Sequence, residues 1–184
     1  MNIKEKKSLQ DFIQMEKLEL KYYSEEHVTP HKEAYEWYKA FPKTDVALEE
    51  NAKIVAFMDM IPIKEDIFIK IKKGRLNDKY LTIEDMIDLE QLKAGETVNL
   101  LLSCIVVDEA YRKTNAIKIM IKEHLKNFQS YIDKGIIFDS IITSNVTKQG
   151  EKFSSGMGFN RVGSSGHNSV LYISKFDKFA GQYK

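Results

Sequence analysis

Apolar residues recur at helical spacing along the first forty positions. Leu9, Phe12 and Ile13, then Met15 and Leu18, form one stripe, and Ala34, Trp37, Tyr38 and Phe41 form a second. Thr29 before Pro30 suits the start of the second helix, with threonine as cap and proline at the first helical position. From Val46 the period falls to two. DVALEENAKIVAFMDMIPI predicts two strands joined at EENAK, with Pro62 closing the second. In DIFIKIKKG, Ile67, Ile69 and Ile71 alternate with Phe68, Lys70 and Lys72, which predicts a further strand. TIEDMIDLEQLKAG opens on a capping box, Thr82 with Asp85, and stops at Gly95, which predicts a helix.

TVNLLLSCIVV is too densely apolar for a strand wet on one face and fits the middle of a sheet. After it, Ile117, Met120, Ile121, Leu125, Phe128, Tyr131 and Ile132 define the clearest helical stripe in the chain, with Lys118, Lys122, Glu123 and Lys126 outside it. GIIFDSIIT predicts a second buried strand and VTKQGEKFSSGMGF a shorter helix. FNRVG and SVLYISKF are two strands around the turn SSGHN. The resulting order, ααβββαβαβαββ, contains a strand–helix–strand crossover, and residues 1–184 are expected to form one α/β domain.

Composition narrows the partners. With 28 Lys and Arg against 27 Asp and Glu in 184 residues, there is no electrostatic footprint for general nucleic-acid binding. No apolar run approaches the ~18 residues needed to span a bilayer. The opening MNIKEKKSLQ lacks the apolar core of a signal peptide. Cys104 is the single cysteine, so no internal disulfide forms, and within LLSCIVV it reads as a buried thiol acting as a small hydrophobe. The expectation is a reduced, cytoplasmic protein with neither nucleic-acid nor membrane partners. His27 and His31 stand four apart, but Pro30 interrupts them and no third ligand is evident, so no metal is expected.

The stretch from Val98 to Phe176 resembles the GNAT acyltransferase superfamily. In that family a central strand ends in V-x-x-x-x-R, and a loop of form [QR]-x-x-G-x-[GA] then opens a long helix. Here Val107-Asp-Glu-Ala-Tyr-Arg112 matches the lead-in, Asn115 falls on the glycine, Ile117 on the final Gly/Ala, and Met120 on the usual leucine. A later family signature, F-Y-x-x-L-G-F, is similar to Phe153-Ser154-Ser155-Gly156-Met157-Gly158-Phe159, with Ser154 in place of tyrosine. Asn145 matches an asparagine that contacts the cofactor in relatives. The resemblance implies a mixed, mostly antiparallel sheet flanked by helices. It further implies acetyl-CoA as co-substrate and a small-molecule or peptide amine as acceptor.

By the same resemblance, Arg112, Lys113, Thr114, Asn115, Ala116 and Ile117 would surround the pyrophosphate. Such recognition depends on backbone N–H donors at a helix start. If Asn115 is left-handed, a non-glycine residue there costs about 1–2 kcal/mol, and asparagine is among the best tolerated. Ile117 leaves the amides free if it faces the core and blocks them if it faces the phosphates. The backbone of Ile105, Val106 and Val107 would pair with the pantetheine arm and stabilise the oxyanion. Ser154 is the candidate to assist the leaving thiolate. For the base, Glu49, Glu50, Asp59 and Glu96 stand near strand ends and none is singled out. The alternatives are a CoA-binding or sensing module without turnover, and an interaction domain that binds no CoA.

Overall fold

The computed structural model describes residues 1–183. The strands are β1 (Asn2–Ile3), β2 (Asp45–Glu50), β3 (Lys53–Ile63), β4 (Thr97–Val107), β5 (Ile137–Asn145), β6 (Asn160–Ser164) and β7 (Val170–Lys175). The helices are α1 (Leu9–Glu19), α2 (His31–Ala40), α3 (Glu65–Lys72), α4 (Ala116–Ile132), α5 (Lys148–Gly156) and α6 (Phe176–Ala180). The strands hydrogen-bond in the order β1-β2-β3-β4-β5-β7-β6. β4 and β5 pair parallel across the α4 crossover, while β1–β2, β2–β3, β5–β7 and β6–β7 are antiparallel. This is the mixed, mostly antiparallel sheet that the resemblance implies.

The chain divides into two compact units. The first comprises Met1–Met60 with Cys104–Asn127, and the second Ile61–Ser103 with Phe128–Lys184. In the first, α1 is set by a capping box: Ser8 and Asp11 satisfy each other's backbone N–H groups. Its apolar stripe then buries Phe12, Met15 and Leu18 against Ala47, Ile54, Phe57 and Val106. β2 and β3 meet in a two-residue turn with Asn51 at φ 51° and Ala52 at φ 61°, the left-handed pair a tight hairpin requires. α2 starts one residue later than expected. Pro30 occupies the cap position and Thr29 makes no cap.

The first unit also buries charge. Lys7 Nζ lies 2.9 Å from Asp45 Oδ1, with side chains 3% and 6% exposed. Asp45 is paired across the β2–β3 ladder with Asp59. Burial, and then the neighbouring Asp45, hold the Asp59 carboxyl well above the usual carboxylate range. The raised pKa favours the neutral form of Asp59 beside Asp45 and Lys7. Its contribution to stability is present at low pH and is lost as pH rises through its folded pKa.

His124 has the opposite sign. It is fully buried on α4, its Nε2 is 3.0 Å from the Met58 carbonyl, and burial lowers its pKa to about 4. The unfolded chain binds that proton near pH 6.5, so the His124 contribution is intact above that and is lost as pH falls towards 4. Between pH 6.5 and 5 this amounts to about 2 kcal/mol. Urea denaturation at the two pH values is expected to show that loss in the wild type, superimposed on the carboxylate contributions. His124→Gln should flatten the slope by about one proton, and an unchanged slope would contradict the assignment.

In the second unit the parallel pairing runs from Thr97↔Ile137 to Leu102↔Thr143. β4 continues past its last pair with β5 to Val107. Phe128, Phe138 and Phe176 pack ring to ring, with centroids 5.0 to 6.4 Å apart.

Besides β1, which the expected order lacks, three stretches differ from the expectation. The segment DIFIKIKKG is the helix α3, because Ile67, Phe68 and Ile71 make an equally good buried face at helical spacing while Ile69 is 39% exposed. The predicted helix from Thr82 is two short turns, Ile83–Asp85 and Leu89–Gln91, separated by an isolated bridge from Met86 to Ile63. The capping box is present, but the Asp88 side chain takes the Glu90 N–H and turns the chain locally instead of extending a helix. α6 was not foreseen. Its Phe176 and Phe179 are buried, and five residues are too few to show a period.

Candidate active site

β4 delivers its last residues to a short turn, Glu109–Tyr111, and then to α4. The Asp108 side chain accepts the Ala110 N–H and starts that turn. Thr114 Oγ1 donates to the Tyr111 carbonyl and accepts from the Ala116 N–H. The first helical bond runs from the Ile119 N–H to the Asn115 carbonyl. The N–H groups of Ile117 and Lys118 therefore lead out of the positive end of a 17-residue helix.

Among the described residues, those with positive φ are Asn51, Ala52, Asn168 and four glycines, none of them between Asp108 and Ile117. Asn115 is not left-handed, so asparagine carries no strain there. Ala116 is 1% exposed and faces inward, Ile117 is half-buried, and Lys113, Thr114 and Asn115 are exposed. The Ala116 N–H is already satisfied within the loop.

The end of α1 grips this same region. Cys104 Sγ donates to Glu19 Oε1 at 3.2 Å, and Tyr23 Oη donates to the Ile105 carbonyl at 3.3 Å. Tyr22 Oη accepts from the Glu109 N–H, and its ring lies 4.2 Å beneath the Arg112 guanidinium. Arg112 Nε in turn donates to the Val107 carbonyl, and Lys21 pairs with Asp108 at 2.9 Å. The Lys21 hydrogen bond holds the Asp108 carboxyl below its usual range, and burial pushes the Tyr23 hydroxyl up. The Asp108 N–H bonds to the Val55 carbonyl on β3. Alternation along an extended strand then puts the N–H and C=O of Ile105 and Val107 on the edge facing away from β3. Cys104 is half-buried and hydrogen-bonded to a carboxylate, not the inert core thiol its surroundings in the sequence suggest.

In the second unit, Asn145 ends β5 and its Nδ2 donates to Ser154 Oγ at 2.8 Å. Ser154 is 1% exposed. Gly150 makes room for this pair, since a Cβ there would lie 2.7 Å from Asn145 Oδ1. Gly158, at φ +72°, allows the chain to leave α5 for Phe159, which is buried.

Of the four carboxylates near strand ends, Glu49 pairs with Lys4 and Glu96 accepts the Lys93 N–H. Glu50 is bound by the Met1 amine and by Tyr111, which together lower its pKa, whereas burial and Asp45 raise that of Asp59. Sequence reasoning passed over Glu19, Tyr22 and Tyr23. The available signal was the charged and aromatic run ELKYY that follows the first apolar stripe. His31 is bound to Glu16 at 2.7 Å. Among the described residues no group of three His, Cys, Asp or Glu side chains is placed to hold a metal ion, and no helix is long and apolar enough to cross a membrane.

The fold is that of the GNAT acyltransferases. It is similar to the GNAT-like decarboxylase GphF, solved in complex with isobutyryl-CoA, at 15% identity and a TM-score of 0.65 over 95% of this chain and 99% of that one. The loading GNATL domain of CurA from Lyngbya majuscula aligns at 12% identity and a TM-score of 0.62, over 95% and 96%. Naa20 from Chaetomium thermophilum, solved with a bisubstrate analogue, aligns at 11% and 0.62, over 99% and 90%. No family model matches the chain, and no curated protein matches its sequence.

Proposed function

We propose that this protein is an acyl-CoA-dependent N-acyltransferase that moves an acetyl group from acetyl-CoA to a small-molecule or peptide amine. The observation that carries this reading is the start of α4, where a turn without left-handed residues leaves the Ile117 and Lys118 amides pointing out of the helix end. Backbone donors and the helix dipole at that point suit a pyrophosphate, and glycine is not needed to expose them. Arg112, Lys113, Thr114, Asn115 and Ala116 form the rest of the loop. Arg112 is committed to Tyr22 and Val107, so it shapes the turn more than it neutralises phosphate. The Ile105 and Val107 N–H groups, on the strand edge facing away from β3, are the donors for the thioester oxygen. Asn145 is positioned by Ser154, and Ser154 retains its own O–H to donate.

GphF, a GNAT-like decarboxylase solved with isobutyryl-CoA, supports CoA chemistry on this fold. A second reading, a CoA-binding module without turnover, is favoured by Ser154: it stands where the family has tyrosine, and it is buried against Asn145.

Release of CoA thiol from acetyl-CoA, followed with a panel of alkylamines, amino acid esters and peptides, separates the two. Amine-dependent thiol release with formation of the N-acetyl product is the expected result. Binding of acetyl-CoA with no release above the uncatalysed rate would select the second reading.

A further inference from the structure

The carbonyl oxygens at the end of β4 are held by side chains of the protein itself. Tyr23 Oη donates to the Ile105 carbonyl at 3.3 Å, and Arg112 Nε donates to the Val107 carbonyl at 3.3 Å. Both carbonyls lie on the strand edge facing away from β3. An extended ligand that carries amides pairs with such an edge by giving N–H groups to its carbonyls. We propose that Tyr23 and Arg112 compete with the pantetheine arm of acyl-CoA for these two carbonyls, and that Tyr23 thereby sets how tightly the co-substrate binds. This rests on the acyltransferase reading above.

The chain leaving α1 is arranged for this. Tyr22 and Tyr23 are consecutive, and they serve alternate residues of a strand whose like-facing carbonyls stand about 7 Å apart. Tyr23 reaches Ile105 directly. Tyr22 acts through Arg112: its ring lies 4.2 Å from the guanidinium, and its Oη accepts the Glu109 N–H. Lys21, the residue before, pairs with Asp108 at 2.9 Å. All of these residues belong to the first unit.

The two bonds are of a kind that a ligand can replace. O–H···O bonds ordinarily measure about 2.5–3.0 Å and N–H···O bonds about 2.7–3.2 Å, so both contacts are long. An amide N–H at ordinary distance is the better donor to either carbonyl. Losing the donor without a replacement is unfavourable, because Ile105 is half-buried and Val107 is buried. Burial pushes the Tyr23 hydroxyl up, so it remains a donor throughout the neutral range.

The test is Tyr23→Phe, titrated calorimetrically with CoA. Beside it runs 3′-phospho-ADP, the nucleotide of CoA without its amide-bearing arm. The variant keeps the ring that packs on the core cluster of the first unit. CoA should bind Tyr23→Phe about 3- to 10-fold more tightly than wild type, the factor expected for one hydrogen bond that no longer has to be displaced. The nucleotide alone should bind both proteins equally. In the wild type, the carbon resonance of Tyr23 Cζ should move when CoA binds and stay in place when the nucleotide binds. A carbonyl oxygen has two lone pairs, so unchanged CoA affinity would show that Ile105 accepts both donors at once, and would overturn the inference. Weaker CoA binding, equal tightening of both ligands, or an unmoved Tyr23 resonance on CoA binding would overturn it as well. If CoA binds neither wild type nor variant, the acyltransferase reading falls and takes this inference with it.

Discussion

Replacing Lys7 by methionine is expected to destabilise the protein by about 3–5 kcal/mol, although methionine nearly matches the length and volume of the side chain. Lys7 is ion-paired with Asp45 where both side chains are almost fully buried, and it also lies 4.6 Å from the Tyr38 ring centroid. Without the ammonium, the buried Asp45 carboxyl is left beside Asp59 with no cation. A lone buried charge is far less favourable than no charge at all. Asp45→Asn in the Lys7→Met background should therefore recover more than about 1 kcal/mol, the reverse of what two independent lost contacts would give. Urea denaturation of the two variants measures this directly. A single variant within about 0.5 kcal/mol of wild type would show that the pair is not buried as described.

The second large effect is expected in the other unit. Phe128 has no exposed surface and packs on Phe138 and Phe176 at 5.0 and 6.4 Å. Truncation to alanine removes a ring and leaves a cavity among two others, which typically costs about 3–5 kcal/mol. For a chain of this length that lowers Tm by roughly 6–20 °C. Phe128→Leu should retain more than half of the lost stability, because leucine refills most of the space. A loss below about 1 kcal/mol in Phe128→Ala would mean that the neighbouring rings collapse into the cavity, and the ring cluster would not be the core of this unit.

The sequence carried much of this architecture because several segments admit one reading. The α4 stripe places Phe128 and Tyr131 on the same buried face, and TVNLLLSCIVV suits only an interior strand. DIFIKIKKG admits two readings. Its isoleucines alternate, but Ile67, Phe68 and Ile71 also share a helical face, and only packing decides between them. The Thr82 segment shows a different limit: its cap is legible, while the competition from Asp88 that stops the helix acts through a single side chain.

At the candidate site, the positions of Asn115 and Ile117 follow from the order of strand, turn and helix. The backbone angle at Asn115 does not, and it decides whether glycine is required. Glu19 and Tyr23 lie 85 and 82 positions before the residues they bond, Cys104 and Ile105, and no local pattern pairs them. The Lys7–Asp45–Asp59 group was invisible for the same reason.

The most direct test is thermal unfolding with and without acetyl-CoA, beside ATP as a matched nucleotide. A ligand at ~100 times its dissociation constant adds about 2.7 kcal/mol. For this chain that raises Tm by roughly 5–10 °C. The account predicts that shift with acetyl-CoA and none with ATP. An unchanged Tm at saturating acetyl-CoA would contradict it, and would make the turn after β4 a connection and nothing more.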